Sequence, residues 1–208
     1  MYIPDKFRET RPEVLHGCIR RNPLGTLVSV TRNGLTADHI PFLIDPDPAP
    51  FGTLRGHVAR ANPVWREHVA DQDVLVIFQG LDTYVSPSWY ASKREHGKVV
   101  PTWNYVVVHA HGRPRFIEDG AWLHTLVSRL TNEHESARRE PWKVTDAPEE
   151  YIARELRAIV GIEVPLTQLV GKWKASQNRA APDVRGVMNG LEEDHNAFLG
   201  EMRDPDSR

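Results

Sequence analysis

The chain has 208 residues, 26% of them charged, and a formal net charge of −2, enough length for a full hydrophobic core in an ordinary globular protein. A charge this close to zero excludes a broad nucleic-acid footprint, although not a local basic patch. The single cysteine, Cys18, excludes a disulfide within the chain and suits a reducing cytoplasm.

The opening "MYIPDKFRET" has no apolar core of a secretory signal. No apolar run nears the ~20 residues of a membrane span, so no membrane partner is expected. Residues 11–21 predict an amphipathic helix with Val14, Leu15, Cys18 and Ile19 on one face, ended by Asn22-Pro23. Cys18 then belongs to a buried face rather than to a reactive thiol. Residues 26–31 and 35–44 predict a hairpin around Asn33-Gly34. "DPDPAP" (45–50) is a loop, because proline removes donors and fixes the chain.

A strand over 52–58 and a helix over 62–69 follow. "DVLVIFQG" is a buried strand bounded by Gly80, and 83–86 is extended. Residues 105–117 predict a long strand with a bulge near Gly112. Residues 121–138 predict a helix, as does "DAPEEYIARELRAIV", with Asp146 as its cap. "GIEVPLTQLVGKWKA" is a strand or a pair of strands, and 181–202 is a helical tail. Close-spaced strands without βαβ alternation predict a mainly β fold, a small antiparallel barrel with peripheral helices. The expected organisation is one domain over 1–208 with a helical C-terminal tail.

Four stretches carry candidate chemistry. In "LRGHVARANPVW", His57 and Arg60 stand at a strand-to-helix junction, where a cation and free N–H groups suit phosphate. The bland alternative is a solvated arginine. "VSPSWYASKREHGKVVPTWNY" sets Ser86 and Ser88 beside Trp89, Tyr90, Trp103 and Tyr105, with Lys93, Arg94 and Lys98 in a flexible linker that includes Gly97. Rings, hydroxyls and cations together suit a flat anionic ligand; the alternative is a loop that buries its own rings.

In "KWKASQN", Lys172 and Lys174 share one strand face and Trp173 takes the other. The alternative there is an edge strand guarded by lysines. His109 and His111 face the same way on a strand, but no Cys, Asp or Glu stands at ligand spacing, so no metal is expected. No GxSxG, Walker A, GxGxxG or CxxC motif is present.

Six motifs occur in order: "MYIPDKF", "DHIPFLID", "GHVARANPVW", "YVSPSWY", "VPTWNYVVVHAHG" and "KWKASQN". Together they resemble the PaiB-type FMN-binding negative transcriptional regulators over nearly the whole chain. Ala175 stands where the family pattern has Leu. The resemblance implies an FMN-binding split β-barrel, related to pyridoxamine-phosphate oxidases and flavin reductases. It also implies a homodimer with flavin at the subunit interface.

On that resemblance, His57 and Arg60 meet the FMN phosphate. Ser86, Ser88 and Trp89 contact ribityl or ring, and Trp103 and Asn104 lie near the isoalloxazine. Lys174, Ser176 and Gln177 come from the partner subunit. Regulation with DNA as partner follows from the family alone, since no helix-turn-helix is legible. The rival functions are a flavin oxidoreductase, with His39 and Tyr90 as acid–base candidates, and a haem protein liganded by His109.

Overall fold

Asn33-Gly34 closes a tight hairpin, with Gly34 at φ 109°, a value open to glycine and strained for other residues. Thr31 braces the turn: its hydroxyl donates to the Gly34 carbonyl at 2.9 Å and accepts from the Asn33 N–H at 3.2 Å. The computed structural model describes residues 1–203; the end of the expected domain, at 208, lies outside the described residues.

The chain starts with β1 (Arg8–Glu9) and α1 (Pro12–Arg21), whose proline sits in the first turn, where its missing N–H costs nothing. The hairpin strands are β2 (Leu24–Thr31) and β3 (Gly34–Pro41), followed by β4 (Leu43–Asp45), β5 (Thr53–Ala59) and the single turn α2 (Val64–Glu67). Next come β6 (Val74–Val85), α3 (Ser92–His96), β7 (Thr102–Gly112) and β8 (Arg115–Ile117). The remainder is α4 (Gly120–Glu135), α5 (Glu149–Arg157), β9 (Ile159–Lys174), α6 (Ala181–Glu193) and α7 (Leu199–Arg203).

The strands bond in the order β3-β2-β6-β7-β9-β5-β4, with β1 and β8 also on β9. The β2–β3, β2–β6, β4–β5, β5–β9, β1–β9 and β8–β9 pairs are antiparallel. The mainly β expectation therefore holds.

Six local readings need correction; two of them are divisions, since the strand expected over 105–117 is β7 and β8, and the helical tail expected over 181–202 is α6 and α7. β6 does not stop at Gly80 but runs on to Val85. A Cβ at Gly80 would lie 3.1 Å from Val106, so this glycine serves close packing rather than a strand end. The helix expected over 62–69 is only four residues long. Residues 92–96, expected as linker, form α3, which Gly97 ends. Asp146 does not cap α5; its carboxylate accepts the Lys143 N–H at 2.9 Å and closes a 3-10 turn, while Pro148 precedes the helix.

Contacts divide the chain into two units. Among the described residues, the first holds Met1–Asn22, Phe78–His109 and 169–203; the second holds Pro23–Ile77 and Ala110–Gln168. In the first, Gly186 and Gly190 of α6 lie against Trp89: a Cβ on Gly190 would meet the indole at 2.4 Å, and one on Gly186 the Trp89 carbonyl oxygen at 1.9 Å. In the second, Asp45 accepts from Arg55 and Arg129, and Arg55 donates to Glu163 at 2.8 Å, which ties β4, β5, β9 and α4 together.

Two outcomes follow for folding. Gly186→Ala forces backbone apart and should lower stability by about 1–3 kcal/mol, read from the urea midpoint. An unchanged midpoint would contradict the close α6–Trp89 contact. Cys18 is 1% exposed. Burial is the main influence that pushes its thiol pKa up to about 11, and the Glu201 charge adds to it. The native thiol should therefore resist dithionitrobenzoate at pH 8 and react once the chain is unfolded.

Candidate functional site

β9 emerges from the sheet with Lys172, Trp173 and Lys174, and strand alternation separates them by face. Trp173 points inward, 1% exposed, and its indole N–H donates to Glu201 at 2.9 Å. Lys172 lies over the Tyr105 ring at 5.1 Å and the Tyr2 ring at 5.9 Å, and donates to the Tyr2 carbonyl at 3.2 Å. Lys174 donates to the Thr102 hydroxyl and to the Trp103 carbonyl at the start of β7. Arg179 lies over the Tyr90 ring at 4.6 Å.

This is a patch of cations laid on aromatic faces. Burial, first, and then the charges of Lys172 and Arg179 hold the Lys174 pKa below the ordinary lysine value. Among the described residues, none of the three makes an ion pair. An anion arriving here relieves that repulsion.

Behind the patch, the fully buried Asn104 donates from Nδ2 to the Ser176 hydroxyl at 2.8 Å. Its Oδ1 is buried with no partner among the described residues. Ser176 sits at φ 62°, in the left-handed region, and is 2% exposed. Gln177 accepts the Ala175 N–H at 2.7 Å and donates to the Trp173 carbonyl, which fixes the turn after β9. Asn104 and Ser176 are too buried to offer a broad surface to a ligand; they hold the backbone that carries Lys174 and Trp103.

Trp103 itself is 54% exposed and meets Tyr84 edge-on, with centroids 6.0 Å apart. Ser86 accepts the Ser88 N–H at 3.2 Å, and Lys93 donates to the Ser88 hydroxyl at 3.1 Å. These two serines are brought together at the surface. Trp89 is half-buried against α6, so much of its ring is taken up by packing.

His57 and Arg60 belong to the second unit. His57 lies on β5 opposite Gly161, its Nδ1 is buried without a partner among the described residues, and burial lowers its pKa. It is held neutral, a hydrogen-bonding group rather than a cation. Arg60 donates to the Arg157 carbonyl at 2.7 Å, the Ile159 carbonyl at 3.2 Å and the Glu118 carboxylate. Its guanidinium is engaged on all three nitrogens.

Sequence reasoning missed Tyr84, Thr102 and Arg179 as members of the patch. Arg179 directly follows "KWKASQN", and Tyr84 begins "YVSPSWY". Extending the ring-and-cation reading by one residue at each motif would have found both.

The residues of this patch fit a flavin: exposed rings for a flat tricycle, an exposed amide and hydroxyls for polar edges, and clustered cations for phosphate. Comparison with known proteins points the same way. Residues 1–168 match the family described as "Putative FMN-binding domain". The chain is 33% identical over 202 residues to the protease synthase and sporulation protein PAI 2 of Bacillus subtilis, covering 97% of this chain and 94% of that one. It is 35% identical over 237 residues to an uncharacterized protein of Aspergillus fumigatus, covering 92% and 91%.

Among solved structures, it resembles the FAD and haem binding protein of Mycobacterium smegmatis, with a TM-score of 0.62, 17% identity and coverage of 86% and 78%. It also resembles the flavocytochrome Anf3 of Azotobacter vinelandii, with a TM-score of 0.59, 15% identity and coverage of 85% and 71%. At such identities the likeness is one of fold. By sequence over nearly its whole length and by fold, the chain belongs to the PaiB-type family of flavin-binding split-barrel domains.

Proposed function

We propose that the chain binds FMN as a cytoplasmic homodimer and works as a PaiB-like regulatory flavoprotein. Trp103, Lys174 and Gln177 meet the ligand, Ser86 and Ser88 serve the ribityl chain, and Trp89 flanks it. Asn104 and Ser176 hold Lys174 and Trp103 in place. The observation that carries this reading is the cation patch over aromatic faces, in which Lys172, Lys174 and Arg179 repel one another and lack an ion-pair partner among the described residues. A terminal phosphate carries close to two negative charges, which FMN has and riboflavin lacks. That match favours FMN over FAD, whose phosphates sit inside the molecule.

His57 and Arg60 are the alternative place for the phosphate, which Arg60 would meet only by giving up Glu118. When bound, the flavin supplies electron or hydride transfer; the chain binds, orients and shields it. The net charge of −2 offers no general footprint for DNA.

The homodimer is supported by exposed apolar residues of the first unit: Leu81 at 43%, Tyr84 at 47%, Val100 at 64% and Trp103 at 54%. Of these, Tyr84 and Trp103 meet edge-on, and exposed apolar surface of this kind marks an interaction surface. Light scattering at micromolar concentration should give twice the chain mass, and Tyr84→Ser with Trp103→Ser should shift it toward monomer. A monomeric wild-type protein with FMN bound would remove the dimer from the reading.

The absorption spectrum of protein reconstituted with FMN should show perturbed flavin bands. A Soret band from the protein as purified would instead favour haem, which the Mycobacterium smegmatis relative binds beside FAD. Oxidation of NAD(P)H by the loaded protein would favour an oxidoreductase.

Titration tests the phosphate grip. Lys174→Ala should cost FMN roughly 1.5–3 kcal/mol, about ten- to hundredfold in affinity, and leave riboflavin nearly unchanged. Loss selective for FMN in Arg60→Ala, with none in Lys174→Ala, would move the phosphate to Arg60. The pH dependence has a definite sign. Lys174 is charged below its lowered pKa and neutral above it. Wild-type FMN affinity should therefore fall as pH rises through that pKa, and Lys174→Ala should lose this alkaline limb.

A further inference from the structure

A cavity of about 740 Å³ lies wholly within the second unit. Its size is that of a small-molecule site. Leu123 of α4, Val144 of the 3-10 turn, and Ile152 and Leu156 of α5 give it an apolar lining. α5 is amphipathic, yet none of its residues is buried. Helices of this kind usually bury their apolar stripe against protein; here Ile152, Ala153 and Leu156 face the cavity instead.

The charged lining residues are Arg60, Arg157, Glu118 and Glu149, two of each sign. Arg60 is already neutralised by Glu118 and pinned by two carbonyls, so it forms a fixed wall. His124 and Thr145 add hydrogen-bonding groups. The balance of charge disfavours a dianion such as FMN, which would meet Glu118 and Glu149 as well as the arginines. A charged ligand of either sign would gain little here.

We propose that this cavity binds a neutral, ring-sized apolar molecule carrying one or two hydrogen-bonding groups, at residues other than those that hold the flavin. The ligand completes the burial of the α5 stripe, and the balanced rim selects against ions.

The probe is 1-aminoanthracene, a neutral fluorescent ring system, titrated into the full chain loaded with FMN. Saturable binding with enhanced emission is expected. Ala153→Trp on α5 and Ala121→Trp on α4 fill the cavity from its two sides. Either variant that keeps the wild-type circular dichroism and flavin spectrum should weaken the probe at least tenfold. Added FMN should not displace the probe from flavin-free protein.

Three results would overturn the proposal: no saturable binding by wild type, wild-type affinity in a folded filled variant, or stoichiometric displacement of the probe by FMN. The last would make the cavity the flavin's own. Flavin absorbance is read in the same samples, so failure of flavin binding is seen separately from failure of the probe.

Discussion

The register of β9 is the constraint on which the rest depends. This strand runs sixteen residues, pairing Arg8 with Lys172 and Glu9 with Gly171 toward one end, and Gly56 with Ile162 and Val58 with Val160 toward the other. A slip of one residue would exchange its two faces. Trp173 would leave the core, at a cost of about 1.5–3 kcal/mol or more for its apolar area. The Lys174 ammonium would enter it, with a desolvation penalty of several kcal/mol without a partner, and Lys172, already 9% exposed, would lose its Tyr2 and Tyr105 contacts. The alternation Lys-Trp-Lys thus selects a single register, and the same register sets both lysines on the face opposite Trp173.

The linking arginines of the second unit and the cation patch of the first are satisfied in opposite ways. In the second, Arg55 pairs with Asp45 and Glu163, Arg129 with Asp45, and Arg60 with Glu118. Each arginine is neutralised locally, and together they join strands to a helix. The more exposed Arg60–Glu118 pair contributes about 0–1 kcal/mol, whereas the part-buried pairs of Arg55 hold the strands in geometry. In the first, Lys172 and Arg179 lie on tyrosine rings and Lys174 is held by a hydroxyl and a carbonyl. Neutral partners satisfy donors without cancelling charge. Burial first, and then the uncancelled charges of Lys172 and Arg179, depress the Lys174 pKa, and the patch is locally positive on a chain whose net charge is −2.

Elements governed by local chemistry were legible in the sequence. Asn33-Gly34 specified its hairpin, and Asn22 ended α1 by accepting no further turn, its N–H going back to Cys18 and Ile19. Elements governed by distant contacts were not. Gly80 reads as a strand end, but only the approach of Val106 explains why β6 passes through it. α3 has charged and polar residues at Ser92–His96 and no apolar period, so nothing but its Gly97 cap announces it. Asp146 has the chemistry of a cap, yet the nearer Lys143 N–H captures it.

For the site, the residue types were legible and their partners were not. The pairing of Asn104 with Ser176 spans 72 positions, which no local pattern encodes. Arg60 read as a cation available to phosphate, because Glu118, 58 positions away, could not be foreseen as its partner.

The amphipathic pattern of α5 shows where such reading stops. Period 3.6 identifies a helix and the face that should avoid water, but it does not say what covers that face. α4 supplies Leu123 and the turn supplies Val144, and a space of about 740 Å³ remains between them and Ile152 and Leu156. Leaving apolar surface beside open space forfeits roughly 25 cal/mol for each Å². Larger side chains at Ala121 and Ala153 would recover that contact, so two alanines keep the space open at the expense of stability. A ligand that occupies it only in the folded chain returns the lost burial through binding, and its effect on stability grows with its concentration as RT ln(1 + [L]/Kd). In that proposal stability and ligand recognition are joined at α5, in the unit where Arg55, Arg60 and Arg129 are each paired with a carboxylate.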